Sequence, residues 1–258
     1  MSANPDQIPG GPASPGIVLD LSLFGNFLFY KPKVKFSSTR ESLKYPLIWY
    51  TFMENGVLIM DKNQIGIDFM REGKWEEAAK AFAEAIDAQP KDPVAYINFG
   101  NVLTAVGDTE RAMNFYDKAI GLDENATAAY YSKGSVYYDN QDFDEARKMF
   151  ELAMKKGLDN GDNFFMLGMS LAHLGSSKLA LPYLQRSTEL LENDAEAHFQ
   201  YGLCLAREAF IDEAIIALEH AIQLDPEHAD AFYNLGVAYG YKEDGDKALE
   251  MFNRALEV

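Results

Sequence analysis

The chain has 258 residues, 40 of them acidic and 23 basic, for a formal charge of −17. Such a surface repels phosphate backbones, which argues against nucleic acid as a direct partner, and it favours basic or neutral polypeptides. A single cysteine, Cys204, excludes an internal disulfide, reads as core packing and fits a reducing cytoplasm.

Residues 1–58 form the first element, a non-repeat N-terminal segment. Pro5, Pro9, Gly10, Gly11, Pro12, Pro15 and Gly16 cannot hold helix or sheet. The apolar run Ile17 to Phe29 is interrupted by Asp20, Gly25 and Asn26, too short and polar to span a bilayer. No basic residue precedes it, so it is a poor secretion signal. Lys31 to Lys35 read as strand-like, and Tyr45 to Tyr50 is again apolar. Three readings stand: a disordered or adventitious extension with Met60 as the natural start, a cap over the first repeat, or a tethered ligand. A membrane anchor is the least supported.

Residues 59–258 are periodic. Gly66, Gly100, Gly134, Gly168, Gly202 and Gly236 are spaced by 34 residues without an insertion. Ala78, Ala112, Ala146, Ala180, Ala214 and Ala248 follow each glycine by twelve. Regularity of this kind marks stacked supersecondary units. Within the second unit Tyr96, Phe99, Gly100 and Leu103 share one helical face, and Ala112, Tyr116, Ala119 and Ile120 share another. Each unit is therefore helix A, a tight turn and helix B. A mid-helix glycine costs about 1 kcal/mol against alanine, a cost offset if helix B approaches where a Cβ would collide. Gly73, Gly107 and Gly175 are expected to end helix A in a left-handed cap, with Asp108, Asp142 and Ser176 as N-caps of helix B. Asp92-Pro93 opens the second helix A, and Pro182 is expected to distort one helix B locally. The repeats run at about 59–92, 93–126, 127–160, 161–194, 195–228 and 229–258.

The last unit reads Phe232, Leu235, Gly236, Tyr239, Ala248, Phe252, Ala255, and the third reads Tyr130, Gly134, Tyr137, Ala146, Phe150, Ala153. This pattern resembles the tetratricopeptide repeat (TPR), in particular short stand-alone bacterial members of that family. Lys133, where an apolar residue is usual, and Ser187, where alanine is usual, depart from it. The resemblance implies an all-α, right-handed superhelical solenoid of six 34-residue helix-turn-helix repeats, with the A helices on a concave wall. With each glycine numbered position 8, it also implies that positions 2, 5, 6, 9, 12 and 13 face that wall. The candidate groove residues are then Ile97, Asn98, Asn101, Tyr131, Ser135, Phe165, Met166, Met169, Phe199, Gln200, Tyr233 and Asn234. Position 4 already supplies core aromatics, and neighbours on a helix diverge by about 100°. Part of the aromatic stripe at position 5 should therefore face the groove. The amides at position 6 resemble the asparagine ladder of peptide-binding TPR superhelices, broken here by Ser132 and Met166.

No two of His173, His198, His220 and His228 lie four apart, and no phosphate loop or Cys/His set occurs, so no catalytic residue, metal or cofactor is expected. The last unit stops within helix B, and Phe252 and Leu256 are expected at a raw apolar edge. The reading is a cytoplasmic, non-catalytic protein-binding adaptor that holds a polypeptide, basic or mixed in charge, in the groove. The alternative is a scaffold that self-assembles through the uncapped C-terminal repeat.

Overall fold

The computed structural model of the chain describes residues 53–54, 57–58 and 61–258. The expectations for residues 1–52, including the strand-like stretch at Lys31–Lys35, lie outside the described residues. β1 (Met53–Glu54) and β2 (Val57–Leu58) pair antiparallel, with Met53 opposite Leu58. The sequence between them is Asn55-Gly56, the dipeptide most favoured in two-residue hairpin loops.

The chain divides after Ala112 into two compact units. In the first, α1 (Lys62–Arg71) packs on α2 (Trp75–Ala88), and α3 (Pro93–Ala105) packs on both. Asp61 caps α1 by accepting from the Asn63 N–H at 2.9 Å, and Asp92 caps α3 by accepting from Val94 at 3.0 Å, with Pro93 opening that helix as expected. Tyr96, Phe99 and Leu103 are buried on the face read from their spacing.

The chain crosses into the second unit within α4 (Thr109–Leu122). Eight helices come after it: α5 (Thr127–Asp139), α6 (Phe143–Lys155), α7 (Gly161–His173), α8 (Ser177–Leu190), α9 (Ala195–Arg207), α10 (Ile211–Leu224), α11 (Ala229–Tyr241) and α12 (Gly245–Glu257). From α5 to α12 each helix packs on the next. In addition α5 meets α7, α7 meets α9 and α9 meets α11, whereas no two of α6, α8, α10 and α12 approach each other. The A helices therefore close ranks and the B helices splay apart. A row that is tight on one side and open on the other curves toward the tight side, so the A helices form a concave wall.

The glycines explain how each hairpin closes. A Cβ built on Gly66 would lie 2.5 Å from Phe82, on Gly134 2.7 Å from Phe150, on Gly168 2.7 Å from Leu184, on Gly202 2.9 Å from Leu218 and on Gly236 2.7 Å from Phe252. All five neighbours occupy position 24 of helix B. Phe82, Phe150, Leu184 and Leu218 have no exposed surface at all. The repeat alanine lies beside the same notch: the Ala248 carbonyl is 3.1 Å from the Cβ that Gly236 lacks.

The turn from helix A to helix B uses one backbone shape six times. Gly73, Gly107 and Gly175 take φ of 70°, 84° and 73°, as expected, and Gln141, Ala209 and Glu243 take 63°, 64° and 60° at the same position. A residue with a Cβ is strained there. The expected N-caps are corrected in part. Asp108 does accept from the Arg111 N–H at 3.2 Å, but Asp142 and Ser176 make no side-chain cap bond. Asp244, at the same place in the sixth repeat and not among the expected caps, accepts from Lys247 at 3.2 Å. α8 stays helical through Pro182. The unusual Lys133 buries its stem and pairs its amine with Asp117.

Substitutions at the turn and at the notch should act in opposite directions. Ala209→Gly relieves the strain and raises stability by about 0.5–1 kcal/mol in urea unfolding. Gly168→Ala lowers it by about 1–3 kcal/mol, and combining it with Leu184→Ala costs less than the two single losses added.

Candidate functional site

Four helices of the second unit build the wall. On α5 Tyr131, Ser132 and Ser135 are half-buried; on α7 Phe165, Met166 and Met169; on α9 Gln200 and Leu203; on α11 Asn234 and Val237, while Tyr233 is exposed. Tyr131, Phe165, Met166 and Met169 rest on the core made by Phe150, Leu167, Leu171 and Leu184. Half-burial of this kind leaves part of each apolar group in contact with solvent. The Tyr131 ring stands 5.5 Å from Phe150, and burial, then the Asp162 carboxylate, push its phenol above the ordinary tyrosine pKa.

Two predicted anchors are corrected. Phe199 is only 7% exposed, because α11 lies on it: Ala231 and Leu235 share its core cluster, and the His228 ring sits 4.5 Å away. Ile97, in the first unit, is also 7% exposed. Neither side chain is available to a ligand. Tyr233, at the same repeat position, is 56% exposed. In the first unit Asn98 and Asn101 are half-buried, and the Nδ2 of Asn98 has no partner.

The amides read as a ladder have partners on their own helices. Gln200 donates to Glu196 at 2.7 Å and Asn234 to the Asp230 carbonyl at 2.7 Å, each four residues back on its own helix. Gln64 likewise donates to Asp68 at 3.0 Å, and the Ser135 hydroxyl to the Tyr131 carbonyl at 3.2 Å. Each of these amide groups spends one N–H within its own helix and keeps a second N–H and an acceptor oxygen.

In the sequence the acidic excess reads as a property of the whole chain. The structure localises part of it. Position 2 of three successive A helices is an exposed carboxylate: Asp162, Glu196 and Asp230. Glu196 and Asp230 also line an open cleft of about 850 Å³ between the α8–α9 and α10–α11 connections, with Glu192, Asp194, Asp225, Glu227 and His228. His228 accepts from the Ala231 N–H through Nδ1, at 3.3 Å, so its Nε2 carries the proton toward Glu196, 3.6 Å away. Reading position 2 unit by unit would have found this row. At the other end of the wall Tyr138, Phe143 and His173 form an aromatic cluster, with Phe143 and His173 stacked at 4.3 Å. Cys204 is buried, and burial raises its thiol pKa, which leaves it unreactive.

The corrected anchors separate in stability. Phe199→Ala costs about 3–5 kcal/mol, whereas Tyr233→Ala costs about 1 kcal/mol or less. Urea midpoints of the two variants measure the difference.

Models of the tetratricopeptide repeat match residues 69–132, 131–195 and 229–258, and a TPR repeat model matches 211–243. Among solved structures, YrrB, described as a TPR protein with an unusual peptide-binding site, is 52% identical over 69% of this chain and 92% of its own, with a TM-score of 0.66. PilF of Pseudomonas aeruginosa reaches the same TM-score at 19% identity, covering 74% of this chain and 86% of its own, and so shares the fold. Among curated proteins, human protein O-mannosyl-transferase TMTC3 is 26% identical over 72% of this chain, and mouse DnaJ homolog subfamily C member 3 is 23% identical over 76%. The chain spans 21% of the length of the first and 42% of the second. With twelve helices in the expected register among the described residues and a 52% identical TPR neighbour, this chain belongs to the tetratricopeptide-repeat family, whose members generally mediate protein–protein interaction.

Proposed function

We propose that the concave wall of the second unit holds an extended polypeptide segment that carries basic residues, and that the protein is a non-catalytic adaptor. The observation that carries this reading is the combination on one wall of half-buried apolar groups (Tyr131, Phe165, Met166, Met169, Leu203) with the exposed carboxylates Asp162, Glu196 and Asp230. The apolar stripe takes alternate side chains of an extended chain. The methionines adapt to more than one shape. The carboxylate row selects for cationic side chains and against nucleic acid. The peptide-binding site ascribed to YrrB supports the class of ligand. Among the described residues no helix is long and apolar enough to cross a membrane, and we place the adaptor in the cytoplasm.

The test uses labelled, unstructured peptides that alternate apolar residues with lysine or with glutamate. The lysine peptide should bind with micromolar affinity, about −8 kcal/mol, and weaken as salt rises. Neutralising the row with Asp162→Asn, Glu196→Gln and Asp230→Asn should lower its affinity about tenfold or more. Equal binding of both peptides, or no change in the triple variant, would defeat the reading.

A second reading, a scaffold built of copies of this chain, draws on a different face. Leu249, Leu256 and Val258 of the last repeat are 62%, 86% and 45% exposed, beside a hollow of about 560 Å³ lined by Tyr233, Phe252 and Ala255. Light scattering that reports a monomer across a concentration series removes it.

A further inference from the structure

Position 4 of helix A and position 26 of helix B face each other across the hairpin. In the first repeat they are Lys62 and Glu84, an ion pair at 2.6 Å. In the sixth they are Phe232 and Arg254, the guanidinium 5.5 Å from the ring centroid. In the fifth both are imidazoles: His198 of α9 and His220 of α10, with centroids 4.1 Å apart and planes at 48°.

His198 is 9% exposed. In the second and third repeats this position is a tyrosine whose hydroxyl donates to a backbone carbonyl six residues upstream. Tyr96 reaches Pro90 at 3.0 Å, and Tyr130 reaches Glu124 at 3.3 Å. In the fifth repeat a histidine stands in place of that tyrosine. What it adds is a buried Nε2 with no partner, and a charge whenever the ring is protonated.

We propose that His198, packed on the exposed ring of His220, forms a pH-sensitive joint in the fifth repeat: while the buried His198 ring is neutral the contact holds α9 on α10, and a charge on His198, in a site where its Nε2 has no partner, loosens the two helices and the stretch of wall that carries Gln200 and Leu203. The loosening stands on this geometry alone; its consequence for ligand release rests on the binding reading above.

The groups acting on His198 come from three places. Burial lowers its pKa below the ordinary histidine value, and His220 on α10 lowers it further. The Glu192 backbone, from the α8–α9 connection, and Asp194, at the N-cap of α9, oppose this without reversing it. Asp194 is already engaged by the Ala197 N–H at 3.0 Å. From α11, His228 packs on Phe199 instead. A folded-state pKa below that of the unfolded chain, about 6.5, means that the open form binds more protons. Stability is then complete above pH ~6.5 and is lost as the pH falls below it. At pH 5.5 a single such histidine raises the opening constant by up to about tenfold.

Hydrogen–deuterium exchange on the full chain at pH 7.5 and 5.5, corrected for intrinsic rates, tests this. Amides of α7 and α8 serve as the internal reference. Protection in α9 and α10 should fall about tenfold relative to that reference at pH 5.5. His198→Tyr, which places here the residue of the second and third repeats and removes the titrating ring, should abolish the fall. An equal change in both helix pairs, or a fall that persists in His198→Tyr, overturns the proposal. Should that variant not fold, His220→Gln takes its place: a smaller fall supports the pair, and an unchanged one overturns it. Since exchange is read without ligand, failure here leaves the binding reading standing, and failure of the peptide experiment leaves the joint standing.

Discussion

The stack depends on a side chain at position 24 that fills the hollow a glycine leaves on the facing helix. Where position 24 is Phe82 or Phe150, an aromatic ring lies against the backbone of helix A; where it is Leu184 or Leu218, a branched aliphatic group does. Both fit because the hollow is defined by what is missing. The glycine's propensity cost of about 1 kcal/mol is small beside the ~1.5–3 kcal/mol that full burial of such a side chain contributes. Close approach within the hairpin then fixes the offset between helices A and B. Repeating that offset brings each A helix against the next while the B helices diverge. The concave wall is a consequence of the notch.

The feature most legible in the sequence was the one with fewest ways to be met. A glycine every 34 residues, with an alanine twelve later, has no simple explanation other than a repeated close contact, and the contact is there. Turn position was legible where glycine marked it, at Gly73, Gly107 and Gly175. It was hidden at Gln141, Ala209 and Glu243, where the repeat imposes a left-handed backbone on residues that do not favour it. Caps were less legible, because Asp142, Ser176 and Asp244 occupy like places and only the last makes the side-chain bond. Exposure at the wall was least legible. Phe199 and Tyr233 share a repeat position, yet one is covered by α11 and the other is open. Burial there is decided by the next repeat, which no pattern within a single repeat can reveal. The partners of the amides were hidden for a local reason: a residue four places back on the same helix offers each an acceptor.

The carboxylate row has an ordinary explanation that must be weighed. An acid in the first turn of a helix interacts favourably with the helix dipole, by about 0.3–1 kcal/mol. The B helices carry such acids too, among them Glu110, Asp144, Asp212 and Asp246. Dipole complementarity alone therefore accounts for Asp162, Glu196 and Asp230 being acidic. It does not account for what surrounds them. The same helices carry half-buried methionines and aromatic rings, and the adjoining connections bring Glu192, Asp225 and Glu227 to one open cleft. Charge that serves only a helix end needs no such neighbours.

A linear stack also distributes its weaknesses unevenly. Each repeat is held by its own hairpin contact and by its neighbours, so a soft hairpin interrupts the wall where it stands rather than unfolding the whole. The fifth repeat joins the apolar end of the wall, at α7, to the exposed Tyr233 on α11. It is also the repeat whose position-4 contact is a pair of histidines, in place of the Phe232–Arg254 contact of the sixth. Local opening there would break the continuity on which the proposed extended ligand depends, while the Gly168–Leu184 contact in the preceding hairpin would remain in place. Loss of binding and loss of fold are thus separable in this architecture, because recognition needs several repeats in line and folding of each hairpin needs only its own notch and its immediate neighbours.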